Sequence, residues 1–264
     1  MPDPITPPPV SSPADAEGAA SFARAFSLRH GPSHARMWVV AVVGLTADLW
    51  SKHWAFDNLT GLEIVVPRLL HLNRSLNPGA LFGLGHGMTP VFIVASILAL
   101  LFVIYLFAHT PRDRWSMHIA LGMILAGALG NLYDRAFVEA DAVWRPSTVG
   151  WRSWLGDEVY LTGKLVDEDE RFWHFAEWPK GDGTLRRVPK RKAWHVEPSP
   201  VVRDFIKIDT SWLPRGYQLW RWIFNVADAL LVVGVGLLLI NFWLDRKHHR
   251  AASSATTPSE QEAA

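Results

Sequence analysis

The stretch Phe224-Asn225-Val226-Ala227-Asp228 stands directly before an unbroken apolar run that ends at Ile240. An acid at this position is unexpected, because a charged side chain in the hydrocarbon core of a bilayer costs at least about 2.5–3.5 kcal/mol. Three further acids lie in or beside apolar runs of similar character: Asp48, Asp134 and Asp204. Ionisable residues kept at such depth are candidates for a functional site.

The apolar residues of this 264-residue chain are concentrated in four runs. A helix needs about 20 mostly apolar residues to cross a bilayer. The pattern predicts four transmembrane helices, at about residues 37–54, 89–108, 115–134 and 223–243. We therefore expect an all-α membrane protein with a small extracytoplasmic β-cradle and a β-containing insertion between helices 3 and 4.

The segment between the first two apolar runs predicts the cradle. Ile64–Val66 and Leu69–Leu72 have the character of short strands, and Asn77-Pro78-Gly79 favours a turn. Two interpretations remain open for this turn. It is either a plain re-entry into the second span, or part of a sheet-like cradle at the membrane surface in which Asn77 binds a substrate backbone.

The remaining segments set the domain boundaries. Residues 1–35 are rich in Pro, Ala and Ser and predict a disordered cytoplasmic tail, and residues 246–264 predict a second cytoplasmic tail. Between them lies a membrane domain, residues 36–245, which a periplasmic insertion at 139–200 interrupts. Within the insertion, Glu158–Thr162 and Arg171–Phe175 predict strands and Asp182-Gly183 predicts a hairpin turn. The insertion is either a tolerated surface element or a contact for anionic headgroups or substrate.

Basic residues predict the orientation. They flank the first run on its N-terminal side, occupy the short connection between the second and third runs, and follow the fourth. Such residues mark the cytoplasmic side, whereas long loops translocate largely regardless of charge. We expect both termini in the cytoplasm and the four acids near the opposite interface.

Several polar residues are spaced to share helical faces. Asp48 and Lys52 are four residues apart, Asn131 and Asp134 are three apart, and so are Asn225 and Asp228. One interpretation is that these groups only neutralise one another within a span. Another is catalytic, because two carboxylates in a low-dielectric site share a proton. One can then deprotonate a water while the other protonates a carbonyl oxygen. Spacing alone favours Asp134 and Asp228 as the pair.

The composition excludes several other chemistries. The chain has no cysteine, so it has no disulfides, no thiolate zinc site and no cysteine nucleophile. No His-x-x-x-His pair lies within the four predicted helices. We expect no metal and no other cofactor.

Five sequence elements occur in the order and topology of the bacterial lipoprotein signal peptidases. They are Asp48-Leu49-Trp50-Ser51-Lys52, Asn77-Pro78-Gly79, Gly130–Arg135, Val202-Arg203-Asp204-Phe205 and Phe224–Asp228. The chain thus resembles signal peptidase II, the aspartic peptidase family A8 of the inner membrane. The resemblance implies an endopeptidase that cleaves prolipoproteins before a lipid-modified cysteine.

The resemblance also assigns roles to residues. It makes Asp204 and Asp228 the catalytic pair, with Asp134 in a supporting role. The other residues that it assigns to substrate binding or to support of the site are Asp48, Lys52, Asn77, Gly79, Asn131, Arg135 and Asn225. The insertion is longer than the family's usual connection, and it contains three rival loop acids: Asp141, Asp157 and Asp167. The neighbouring Phe205 favours Asp204 over them.

The implied partners are a diacylglyceryl prolipoprotein substrate and membrane lipids, with no nucleic acid. The implied protein is a monomer with its site on the periplasmic side of the inner membrane. Two other functions remain open from the residues. A proton-coupled transporter or channel would also need buried acids, and a non-enzymatic assembly factor would use them only as partners for Lys52 and Arg135.

Overall fold

The computed structural model describes residues 30–79, 89–146, 157–176, 185–210, 212–213 and 222–255. This part of the chain forms four helices: α1 Gly31–Asn58, α2 Thr89–His109, α3 Trp115–Phe137 and α4 Val226–Ala255. It also forms nine strands: β1 Glu63–Val66, β2 Leu70–Asn77, β3 Glu139–Arg145, β4 Glu158–Glu168, β5 Phe172–Ala176, β6 Leu185–Pro189, β7 His195–Pro200, β8 Val202–Ile208 and β9 Ile223–Phe224. The predicted turn at Asp182-Gly183 and the tail before residue 30 lie outside the described residues.

The expected all-α class is wrong. The strands form two β-sheets beside the helices. The expected number of four transmembrane helices is also too high, judged by the length and apolar composition of the described helices. Among the described helices, Trp115–Phe137 and Val226–Lys247 are long and apolar enough to cross a membrane, while the apolar part of α2, Ile93–His109, is shorter. Helix α1 has 28 residues, but its charged side chains lower its hydropathy.

Helix α3 is the central helix, because it packs against the other three. Its glycines allow this close packing. A side chain at Gly127 would meet the backbone oxygen of Ala227 on α4, and one at Gly122 would meet the backbone oxygen of Met37 on α1. Small residues at helix interfaces let backbones approach in this way. The third and fourth apolar segments are therefore held side by side.

Strands β1, β2, β8 and β9 form a four-stranded antiparallel sheet in the order β1-β2-β8-β9, here called the cradle sheet. Phe205 of this sheet packs against Ala55, Phe56 and Leu59 at the end of α1. Ser75 of β2 lies directly opposite Asp204 of β8. The sheet thus fixes Asp204 relative to the helices.

The other five strands form the insertion sheet, in the order β6-β5-β4-β3-β7. It has its own apolar cluster, which includes Trp173 and Phe175. The strands that begin and end this segment in the sequence, β3 and β7, pair with each other, starting with Glu139 opposite Pro200. The Val201 nitrogen donates to the Val138 oxygen at 3.0 Å, so the chain leaves and re-enters the membrane domain at nearly one point. This closure lets a long segment stand between α3 and β8 without displacing either.

Candidate active site

The first turn of α4 positions Asp228. The Asp228 nitrogen donates to Asn225 Oδ1 at 2.9 Å, and the Asn225 nitrogen donates to Asp228 Oδ2 at 3.1 Å. This reciprocal pairing has the form of a capping box. The N-terminus of a helix also favours a negative charge. The helix start therefore gives a physical reason for an acid directly before an apolar run.

The side chain of Asn225 joins the two acids. Its Nδ2 donates to Asp204 Oδ1 at 2.7 Å and to Asn131 Oδ1 at 3.1 Å. Asn131 Nδ2 in turn donates to Asp228 Oδ1 at 2.8 Å. Asn225 is fully buried and Asp204 is 3% exposed. Strand β8 and helix α4 thus present their carboxyl groups to one shared asparagine.

The cradle sheet adds a second contact to Asp204. Asn77 Nδ2 donates to Asp204 Oδ2 at 3.3 Å, and Asn77 Oδ1 accepts from the Gly79 nitrogen at 3.1 Å. Arg135 Nη2 donates to the Gly79 oxygen at 3.2 Å. The turn at the end of β2 is thereby tied both to Asp204 and to the end of α3. The pairing of β2 with β8 places this turn at the end of a sheet, while substrate binding by Asn77 stays a prediction.

A buried ionic cluster lies beneath the two acids. Lys52 Nζ is 2.8 Å from Asp48 Oδ2 and 3.3 Å from Asp134 Oδ2, and all three side chains are fully buried. Lys52 also donates to Asn131 Oδ1 at 3.2 Å. Asp48 Oδ1 accepts from the Ala227 nitrogen at 2.8 Å, which ties α1 to the first turn of α4. The cluster therefore fixes Asn131 and the start of α4.

Sequence reasoning missed Arg203. This residue precedes Asp204 on β8, and its backbone nitrogen, Nε and Nη2 all donate to Asp134, at 2.9, 3.1 and 2.6 Å. Successive side chains on a strand point to opposite faces. An alternation argument could have placed Arg203 toward α3 once Asp204 was placed toward α4.

The environment of Asp204 favours its protonated form. Burial raises the pKa of its carboxyl to about 8, and the nearby charge of Asp228 acts in the same direction. The hydrogen bonds from Asn225 and Asn77 act in the opposite direction. At neutral pH the Asp204 carboxyl accordingly carries a proton, and such a group can serve as a general acid.

The structure brings all ten of the predicted site residues into one network of hydrogen bonds and ion pairs. The three rival acids lie in or beside the insertion sheet and have other contacts. Asp141 Oδ2 accepts from the Leu165 nitrogen at 2.8 Å, Asp157 lies 4.0 Å from His195, and Asp167 Oδ1 accepts from the Glu168 nitrogen at 2.9 Å. These contacts account for the three acids as parts of the insertion sheet.

Apolar helices around the buried Asp204 and the partly buried Asp228 fit a membrane-embedded enzyme of the aspartic type. The family model for signal peptidase (SPase) II matches residues 40–244, and the chain belongs to this family. The family expected from the sequence elements is confirmed. The protein is therefore an aspartic peptidase that removes signal peptides from prolipoproteins, and the transporter alternative receives no support from its relatives.

Two relatives illustrate the similarity. The chain is 31% identical over 208 residues to the lipoprotein signal peptidase of Desulfitobacterium hafniense, covering 75% of this chain and 91% of the relative. It is 28% identical over 262 residues to that of Rhodopirellula baltica, covering 96% of this chain and 88% of the relative.

Among solved structures, the fold resembles a bacterial membrane enzyme determined by the in meso method at 2.3 Å resolution. The TM-score is 0.50 at 20% identity, with 89% of this chain and 98% of that chain covered. At this identity the likeness concerns the fold alone.

Proposed function

We propose that Asp204 and Asp228 are the catalytic pair, and that they cleave the peptide bond before a diacylglyceryl-modified cysteine. The observation that carries this proposal is the contact of one buried residue, Asn225, with both carboxyl groups. Two acids held in this way can share one proton and one water molecule. The membership of the chain in an aspartic peptidase family supports the same pair.

The proton on Asp204 sets the order of the steps. Asp228 accepts a proton from water as the water oxygen bonds to the scissile carbonyl carbon, and Asp204 donates its proton to the carbonyl oxygen. The resulting gem-diol then collapses. Asp204 takes a hydroxyl proton back, the C–N bond breaks, and Asp228 gives its proton to the departing cysteine nitrogen. Both carboxyl groups end in the states in which they began.

The surrounding polar residues position this pair. Asn131 and Asn225 hold the two carboxyl groups in fixed positions relative to each other. The cluster of Asp48, Lys52 and Asp134 in turn holds Asn131 and the start of α4. Asn77 and Gly79 belong to the turn at the end of β2, beside Asp204, and Arg135 of α3 donates to that turn; these three would contact the substrate backbone. None of these eight residues needs to exchange a proton during the reaction.

The proposed location is the bacterial inner membrane, with both termini in the cytoplasm and the site on the periplasmic side. Basic residues converge at the end of the helices opposite the site: Arg36 Nη1 donates to the Arg112 oxygen at 3.5 Å, and Arg114 pairs with Asp245. Such clusters mark the cytoplasmic side. The proposal further places membrane lipids against the exposed apolar faces and takes the working unit to be a monomer.

A peptide cleavage assay tests the proposed substrate. The purified chain is given a peptide with a diacylglyceryl cysteine, and a matched peptide in which alanine replaces that cysteine. We expect cleavage of the first peptide alone, with a product whose N-terminus is the lipidated cysteine by mass spectrometry. Equal cleavage of both peptides, or a cut at another bond, would contradict the proposal.

A further inference from the structure

A groove of about 480 Å³ lies between the cradle sheet and the insertion sheet. One wall is β2, through Asn73, Arg74, Ser75 and Leu76. The opposite wall belongs to the insertion sheet and includes Thr162 and Arg186. Thr162 Oγ1 donates to the Leu76 oxygen of β2 at 3.1 Å. The two sheets are therefore joined at one end of the groove.

The wall of the groove that β2 forms ends at Leu76, next to the proposed site residue Asn77. Ser75 lies opposite Asp204, and Asn77, two residues further along β2, donates to the Asp204 carboxyl. Two residues of strand span about 7 Å. An extended peptide that leaves the scissile bond along β2 would enter the groove with roughly its second to fifth residues after the cysteine.

The edge of β2 in the groove is suited to an extended peptide. The pairing of β1 with β2 ends at Leu72 and the Leu76 oxygen accepts from Thr162, so the part of this edge that neither β1 nor Thr162 covers is Asn73–Ser75. Exposed strand edges commonly bind peptides by strand addition, with specificity supplied by neighbouring side chains.

The charge of the groove favours an acidic peptide. Its described lining includes two arginines, Arg74 and Arg186, and no acidic residue. Arg74 Nη1 donates to the Phe56 oxygen at 3.1 Å, whereas Arg186 lies on the exposed strand β6. Arginine is suited to carboxylates because its planar fork can donate two parallel hydrogen bonds.

We propose that this groove binds acidic residues of the mature lipoprotein segment that follows the cysteine, so that the insertion sheet selects substrates. The inference rests on the proposed function. The mature segment suits this groove better than the signal peptide does. An apolar signal segment belongs in the bilayer, whereas the groove has polar walls between two sheets.

Cleavage rates with matched peptides test this inference. The full chain in neutral detergent is given three lipidated peptides: one with Asp at the third and fifth positions after the cysteine, one with Lys there, and one that ends directly after the cysteine. We expect kcat/KM to favour the Asp peptide over the Lys peptide by about fivefold, as for partly exposed ion pairs. Arg186→Glu should abolish or reverse this preference.

Arg187→Glu is the matched control. Arg187 is the next residue on β6 and lies over the Phe172 ring at 6.0 Å, outside the groove lining. This variant should keep the preference, and both variants should cleave the short peptide at the wild-type rate. Equal rates for the Asp and Lys peptides, or an Arg186→Glu variant that keeps the preference, would overturn the inference.

Two other results have distinct meanings. Failure of the wild-type chain to cleave any of the three peptides would overturn the proposed function itself. An Arg186→Glu defect that is equal for the Asp and Lys peptides, and that appears only with phosphatidylglycerol vesicles, would assign the groove to lipid headgroups and overturn this inference alone.

Discussion

Arg203 encloses the Asp134 carboxylate with three hydrogen bonds, one from its backbone nitrogen and two from its guanidinium group. Asp134 lies near the end of α3, and Arg203 is the residue before Asp204 on β8. The pair therefore ties the strand that carries one proposed catalytic acid to the central helix.

Loss of the Asp134 carboxylate should destabilise the protein strongly. Asp134→Asn leaves Lys52 and Arg203 near one another without their shared anion. Breaking one side of a buried ion pair costs about 3–5 kcal/mol. Unfolding in detergent, followed by circular dichroism, measures the change in the free energy of unfolding.

Asp245→Asn is the control for this loss. Asp245 pairs with Arg114 at the other end of the helices, where both side chains are partly exposed. Removal of that carboxylate should cost about 1 kcal/mol or less. Equal losses in Asp134→Asn and Asp245→Asn would contradict the role given to the buried cluster.

Gly130 should not tolerate a methyl group. A side-chain carbon there would collide with Asp48 Oδ2 and approach Ala227 Cβ to 3.2 Å. Since Asp48 bonds to Lys52 and to the Ala227 nitrogen, the collision would shift the start of α4. We expect Gly130→Ala to cost about 1–3 kcal/mol in the free energy of unfolding and to lower kcat.

Gly236→Ala provides the comparison. Nothing lies within 4 Å of a side-chain carbon built at Gly236. Alanine also favours helix over glycine by about 1 kcal/mol. This variant should be unchanged or slightly more stable and should cleave substrate normally. A Gly130→Ala protein that behaves like Gly236→Ala would contradict the tight contact with Asp48.

The raised pKa of Asp204 makes the free energy of unfolding depend on pH. Below its ordinary value near 3.8, the group is protonated in both folded and unfolded chains. Between about pH 4 and 8 the unfolded chain has lost this proton and the folded chain keeps it, so the free energy of unfolding falls as pH rises. Asp204→Asn should remove this fall, as thermal unfolding across pH 4–9 would show.

Asp169 is a carboxyl with the opposite shift. The hydrogen bond of Asp169 with His174 is the main cause that lowers the pKa of this carboxyl to about 2. The contribution of Asp169 to the free energy of unfolding is therefore fully present above pH 4. Asp169→Asn should leave the slope of the free energy of unfolding against pH unchanged between pH 4 and 8. The account of Asp204 fails if Asp204→Asn and wild-type proteins show the same slope.

The insertion should be removable. Because Val201 bonds to Val138 and Glu139 pairs with Pro200, a two-residue turn can join residues 139 and 200. We expect the shortened chain to fold and to cleave a short lipidated peptide within tenfold of the wild-type rate, since the ten site residues lie outside 140–199. Complete inactivity of a folded, shortened chain would show that the insertion sheet is required for the site.

The proposed site could be predicted from the sequence because its residues stand in short, recognisable elements. The pairing of Asp204 with Asp228 could not be derived from spacing, which favoured Asp134. The structure gives the reason: Asp134 faces Lys52 and Arg203, while Asn225 reaches across to Asp204. Such contacts join segments far apart in the chain, and helical periodicity carries no information about them.

The fold class was harder to predict than the site. The apolar runs are the strongest pattern in the sequence and indicate helices, whereas strands of mixed polarity such as β2 and β7 give only a weak pattern. Strand β2, for example, has polar residues on both faces and owes its place to pairing with β8 more than 120 positions away, at Ser75 and Asp204. The span count failed for a related reason, because α1 combines helical length with internal charges.

The rate of cleavage by two single-residue variants tests the central claim most directly. Asp204→Asn and Asp228→Asn are compared with wild type and with Asp167→Asn, a variant of an acid in the insertion sheet, on the same lipidated peptide. The account predicts that each of the first two lowers kcat by about 10²–10⁴-fold, as for loss of a general acid or base, while Asp167→Asn has the wild-type kcat. A folded Asp204→Asn or Asp228→Asn protein that retains kcat close to wild type would contradict the proposed pair.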